Sequence, residues 1–115
     1  MSLDWKIYRY CVKIEAQTRV ETMIGNKVPE GYILEVTDMA ITNITAHGDD
    51  LELGYIDVAG EDRVICADNG ATKHHHHLTG QVFLMAGEQP YGRVTTAADG
   101  DDIYFICHGK LWPVE

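Results

Sequence analysis

Four consecutive histidines, His74 to His77, lie between Lys73 and Leu78 and are the densest concentration of metal-binding side chains in this 115-residue chain. Neutral imidazole binds zinc, copper or nickel, but a firm tetrahedral site needs four donors and further groups to orient them. Successive side chains of a strand point to opposite faces, so His74 and His76 share one face and His75 and His77 the other. His75 and His77 form the candidate metal pair. His47, His108, Gln81 and the carboxylates are the donors that would complete it. The run also titrates near pH 6, so an interface lined by it would be acid-sensitive.

Nucleophilic and acid-base chemistry finds less support. Cys11, Cys66 and Cys107 are an odd number with no C-x-x-C pair, which argues against a disulfide framework. Cys11 in Tyr8-Arg9-Tyr10-Cys11-Val12-Lys13-Ile14 and Cys107 in Ile103-Tyr104-Phe105-Ile106-Cys107 read as small buried hydrophobes in strands. His108 follows Cys107 directly, but strand neighbours face opposite ways and do not share a proton easily. Ser2 is the only serine, which removes serine-nucleophile chemistry, and no phosphate-cradling glycine loop is complete. The acid pairs Glu35 with Asp38 and Glu52 with Asp57 read as surface groups. So do the acidic groups Asp49-Asp50, Glu61-Asp62 and Asp99 with Asp101 and Asp102, which read as solvated turns; the calcium loop pattern is missing. No catalytic residue and no cofactor is expected.

The elements that would carry these residues are strands. Trp5 to Ile14, Thr18 to Ile24, Tyr32 to Ile44, Leu51 to Tyr55, Arg63 to Ala67, Lys73 to Met85, Tyr91 to Thr96 and Ile103 to Trp112 are rich in β-branched and aromatic residues and are separated by Gly, Asn and Asp. Two glycine-led ramps, Val28 to Val36 through Pro29 and Gly31, and Leu84 to Val94 through Gly87 and Pro90, each read as a turn feeding a strand. A phase change near Thr37-Asp38 interrupts the third strand. No stretch has a capped 3.6-residue period, so at most one short helix is expected, around Ala67 to Thr72. About eight strands at this spacing predict a single all-β domain over residues 1–115: an antiparallel β-sandwich, jelly-roll-like, with 1–14 as an N-terminal arm or first strand.

Charge narrows the partners. Eighteen acidic against nine basic side chains give a formal charge of -9, which repels phosphate backbones, so no nucleic-acid partner is expected. No apolar run is long enough for a membrane helix, and the N-terminus does not read as a secretion signal. Within this acidic chain the N-terminal segment is basic and aromatic. Trp5, Lys6, Tyr8, Arg9 and Tyr10 are therefore the candidate interface, since aromatic and arginine anchors carry much of the energy of interfaces.

Two resemblances follow from these residues. His75-x-His77 in a β domain is similar to the metal site of the cupins, but Gln81 stands where that motif has glutamate and Asn69 where it has glycine. No histidine follows Pro90-Tyr91-Gly92 at the motif's spacing. The order of segments from Val28 to Leu111 resembles the small jelly-roll proteins of tailed bacteriophage particles. Its markers are Pro-x-Gly, an apolar strand reaching Thr37-Asp38, the histidine strand leading to Gly80-Gln81-Val82, Ala86-Gly87-Glu88, and Gly100-Asp101-Asp102-Ile103-Tyr104 with Gly109-Lys110-Leu111. That resemblance implies a non-enzymatic virion structural protein of the capsid decoration (cement) type. It also implies a homo-oligomer such as a trimer, assembled in the host cytoplasm and bound to the major capsid protein or another virion protein. A tail module recognising a host glycan through exposed aromatics and a cupin-like metal protein using His74 to His77 remain the alternatives.

Overall fold

A computed structural model describes residues 4–45, 50–68 and 75–114. Alternation sets the strand faces from the first element: in β1 (Lys6–Glu15) Tyr8, Tyr10, Val12 and Ile14 turn inward, and Ile7, Arg9, Cys11 and Lys13 turn out. The chain continues through β2 (Glu21–Ile24), β3 (Tyr32–Asn43), β4 (Leu51–Ile56), β5 (Asp62–Asp68), β6 (His75–Leu84), β7 (Gln89–Val94) and β8 (Asp102–Pro113). Two four-stranded antiparallel sheets result, ordered β1-β8-β3-β6 and β2-β7-β4-β5. Consecutive strands alternate between the sheets except for the β4–β5 pair, which is the winding of a jelly roll. No helix occurs among the described residues. β5 runs to Asp68, so Ala67 and Asp68, expected at the start of a short helix, are strand; the remainder of that expectation lies outside the described residues.

Between β1 and β2 the chain turns at 16–20 and crosses from one sheet to the other. The Glu21 carboxylate accepts from the backbone N–H of Gln17 (2.7 Å) and Thr18 (3.0 Å). The phase change does fall at Thr37: the register of β3 shifts between Val36 and Asp38 against both neighbours, as a β-bulge produces. It lets Leu34 and Val36 before it, and Met39 and Ile41 after it, face one core with Phe105, Ile103, Leu53, Leu84 and Val94.

The two ramps hold each other. The N–H of Val28 donates to Glu88 O (2.9 Å) and that of Gly87 to Val28 O (2.9 Å), with Val28 itself buried. Gly31 and Gly87 have φ of +85° and +87°, conformations costly for any residue with a β-carbon.

The opposite end is closed by a buried polar knot. Asp101, expected as a solvated turn residue, is only 5% exposed; its carboxylate accepts from Asn43 Nδ2 (2.8 Å) and from the Ala98 N–H (2.9 Å). Its backbone carbonyl takes the N–H of Ala16 (2.8 Å), which ties the β1–β2 crossing to the start of β8. The solvated reading fails here because the buried Asn43 amide is out of reach of water and needs an acceptor. Replacing Asp101 with Ala strands them. We expect D101A to lose about 2–3 kcal/mol, read as a lower urea midpoint at unchanged slope; a shift below about 0.5 kcal/mol would show that the knot does not hold this end.

Candidate functional site

The chemistry-bearing residues gather on the outer face of the β1-β8-β3-β6 sheet. Pairing sets the rows: Arg9 lies beside His108, Cys11 beside Ile106 and Lys13 beside Tyr104 across β1–β8. Across β8–β3, His108 lies beside Asp38 and Ile106 beside Ala40; across β3–β6, Ala40 lies beside His77.

Cys107 is fully buried. Burial first, then the neighbouring Asp38 and Cys11, push its thiol up to about 12, so it is a core residue and not a nucleophile. The thiol that meets His108 belongs to Cys11, whose Sγ lies 3.5 Å from His108 Nε2. The expectation that Cys11 is a buried hydrophobe is wrong, since it occupies an outward position of an edge strand and is exposed. Sequence reasoning missed the pair because its members are 97 residues apart and meet only through the β1–β8 register. The signal that would have found it is the alternation of Tyr8, Tyr10, Val12 and Ile14, which places Cys11 with Arg9 and Lys13.

Of the histidine run, His74 and also His47 lie outside the described residues. His75 and His77 pair with Thr42 and Ala40 along β3. The imidazole of His77 is exposed, and its Nε2 bonds the Asp38 carboxylate. Gln81 Nε2 donates to Glu35 Oε2 (3.3 Å), and Trp112 Nε1 donates to the other oxygen of the same carboxylate (2.9 Å). Among the described residues no group of three or more His, Cys, Asp or Glu is placed to hold a metal ion. His77 with Asp38 is two donors short of a tetrahedral site.

The candidate interface divides. Trp5, Lys6 and Arg9 are exposed. Trp5 tilts against Trp112 at 6.5 Å between ring centroids and carries Lys110 Nζ 4.8 Å above its ring, while Lys6 Nζ lies 5.2 Å from the centre of the Tyr32 ring. Tyr8 and Tyr10 belong instead to the sandwich interior. Tyr8 is 6% exposed, donates to Asn26 O (2.7 Å), and is held above the usual phenol range chiefly by burial; Tyr10 packs on Phe105. An inward position on β1 cannot also serve as a contact surface, so Trp5, Lys6 and Arg9 are what remains of the five.

On the other sheet the acids are engaged. Glu52 accepts from Tyr91 Oη (2.5 Å) and Arg93 Nη1 (3.0 Å), and Arg93 Nη2 reaches Asp62 (2.5 Å). Tyr91 packs against Gly54 with no exposed surface and offers no sugar platform. Asp57 accepts from the N–H groups of Ala59 and Glu61 and from Arg63 Nε, each at 3.0 Å. The Glu61 N–H, against a smaller desolvation cost and helped by Arg63 and Ala59, holds its carboxyl below the ordinary 3.8. Such an acid is a turn clamp, poorly suited to donating a proton near neutrality.

No family model matches the chain, and no curated protein matches it. Solved structures do resemble it. A chain from Bacillus endospore appendages, described as a novel family of disulfide-linked pili, is 6% identical with a TM-score of 0.56 over 100% of this chain and 93% of its own. The Drosophila NLP core, described for pentamer formation and histone binding, is 10% identical with a TM-score of 0.46 over 90% and 97%. A chain of infectious bursal disease virus, Gx strain, is 14% identical with a TM-score of 0.48 over 94% of this chain and 31% of the viral one, so this chain spans under a third of that protein. At such identities the likeness is one of fold, and the lower scores of the last two add nothing to it.

The Asp57 clamp makes a pH prediction. A carboxyl with a depressed folded-state pKa contributes stability that is complete above the unfolded value and is lost as pH falls through the folded one. D57N should therefore melt below the wild type near neutral pH, and the gap should close as the pH falls below about 4. A gap that stayed constant in thermal melts across that range would remove the ionised carboxylate from the turn.

Proposed function

We propose that this protein is a non-enzymatic structural subunit of a virion, a capsid decoration protein that docks on the shell through the outer face of β1 and β8. The observation that carries the reading is a cationic, partly apolar stripe on an acidic chain. Arg9, Lys13 and Lys110 project from this face among Trp5, Ile7 and Tyr104, of which Ile7 is 62% exposed. Among the described residues Arg9 has no ion-pair partner. Its occupant is an acidic protein surface, since a charged stripe finds its complement in the opposite sign and the apolar members fill the contact once docked. A jelly roll closed at both ends by hydrogen bonds supplies the rigidity that a cementing role needs, and a fold shared with a chain of pili fits a building-block use. The resemblance to small tailed-phage jelly rolls supplies the finer assignment: the partner is the major capsid protein, and the working form is a symmetric homo-oligomer such as a trimer.

Exposed Trp5 beside Trp112 favours a glycan-binding tail module as the second reading, because a tryptophan face stacks on sugar rings. Against it, the Trp5 ring already carries the Lys110 ammonium.

Purified protein added to empty shells assembled from a tailed-phage major capsid protein should co-sediment with them and raise their melting temperature. The double variant R9E/K110E should bind at least tenfold more weakly, since each rim charge reversal exchanges attraction for repulsion. Equal binding by the variant, or isolated protein that binds a glycan array and no shell, overturns the decoration reading.

A further inference from the structure

We propose that Cys11 and His108 form a peroxide-reactive thiol site at which the protein takes up a small anionic thiol as a mixed disulfide. This proposal does not depend on the docking reading, because it concerns the free subunit.

Three observations converge on it. None of the three cysteines is in a disulfide, and they differ in access: Cys107 is buried, Cys66 is half-buried with its thiol pushed up by burial, and Cys11 is exposed. Cys11, the exposed one, has an imidazole nitrogen at hydrogen-bond distance, His108 Nε2 at 3.5 Å. An open depression lined by Cys11, Val12, Lys13, Tyr104 and Ile106 adjoins the sulfur and has room for a small reactant.

The Cys11 sulfur attacks one oxygen of hydrogen peroxide, forming an S–O bond as the O–O bond breaks. The thiol proton passes by way of the His108 imidazole to the departing hydroxide, which leaves as water. Sulfur is oxidised by two electrons and the peroxide is reduced by two, giving a sulfenic acid. The sulfur of the second thiol then attacks the Cys11 sulfur, the S–O bond breaks, and a second water leaves with that thiol's proton.

Charge selects the second thiol. Arg9 and Lys13 stand two residues on either side of Cys11 along the same outward row of β1. A small thiol bearing carboxylates is attracted by both. A second copy approaching by the same face would set its Arg9 and Lys13 against these two, a like-charge contact that disfavours a Cys11–Cys11 link.

The full chain, its cysteines reduced, is treated with hydrogen peroxide in the presence of dimedone, or of glutathione as the anionic thiol, and the products are mapped by mass spectrometry. Dimedone and glutathione should both be found on Cys11, and C11S should carry neither. H108Q, checked for an unchanged melting temperature, should be labelled at least tenfold more slowly; H108N serves as the second variant if H108Q melts lower. Label spread equally over Cys66 and Cys107, or an unchanged rate in a folded His108 variant, overturns the site. A Cys11–Cys11 dimer on a non-reducing gel in place of the glutathione adduct overturns the assignment of the ligand.

Discussion

A β-carbon on Gly109 would stand 2.2 Å from the carbonyl oxygen of Glu35 and 2.8 Å from Leu34 Cδ1, closer than real contacts allow. β3 and β8 therefore approach at a point where only glycine fits, and the other strands of their sheet are placed from that contact. β8 lies between β1 and β3, so its register against β3 fixes the rows on both sides. The β3 bulge follows at the next position. Were Thr37 part of a regular pleat and not a bulge, Asp38 would turn inward and Met39 outward, reversing the core and the outer face together.

The outer face inherits its chemistry from this one alignment. His108 is outward because Cys107 and Gly109 are inward, and Asp38 is outward beside it because the bulge resets β3. Cys11 then reaches His108 from the neighbouring strand, diagonally across the ladder, where side chains on one face still touch. The pair at residues 107 and 108, adjacent in the chain, is divided by the pleat. The pair at 11 and 108 is assembled by it.

This explains which features were legible from the sequence. The turns at Gly31 and Gly87, the break after Glu15 and the phase change at Thr37-Asp38 are local, since each rests on the conformational limits of a few consecutive residues, and the strand count follows from them. The partners of Cys11, His77 and Asp101 are non-local. Asp101 sits in Asp99-Gly100-Asp101-Asp102, a stretch with the composition of a solvated turn, and nothing local reveals that Asn43, 58 residues away, donates to it. His77 likewise meets Asp38 only because β6 pairs with β3 after the bulge. Tyr8 and Tyr10 illustrate the intermediate case: the alternation of β1 places them on one face with Val12 and Ile14, and an apolar set of that size is the face a sandwich buries.

Charge acts on this fold at two ranges. The net -9 of the chain governs solubility and long-range approach, and by itself it suggests a molecule that avoids acidic surfaces. At contact, salt screens charges separated by more than about 8–10 Å, so the groups on the touching face decide. On the β1–β8 face several acids are already engaged: Glu35 by Trp112 and Gln81, Asp38 by His77, and Asp102 at 3.8 Å from Lys13. Arg9 and Lys110 make no ion pair among the described residues, Lys110 lying over the Trp5 ring, while clamps such as Asp57 sit on the other sheet and its turns. An acidic domain thus gathers Arg9 and Lys13 along one outward row of β1, and their like charges discourage two copies from meeting through that row.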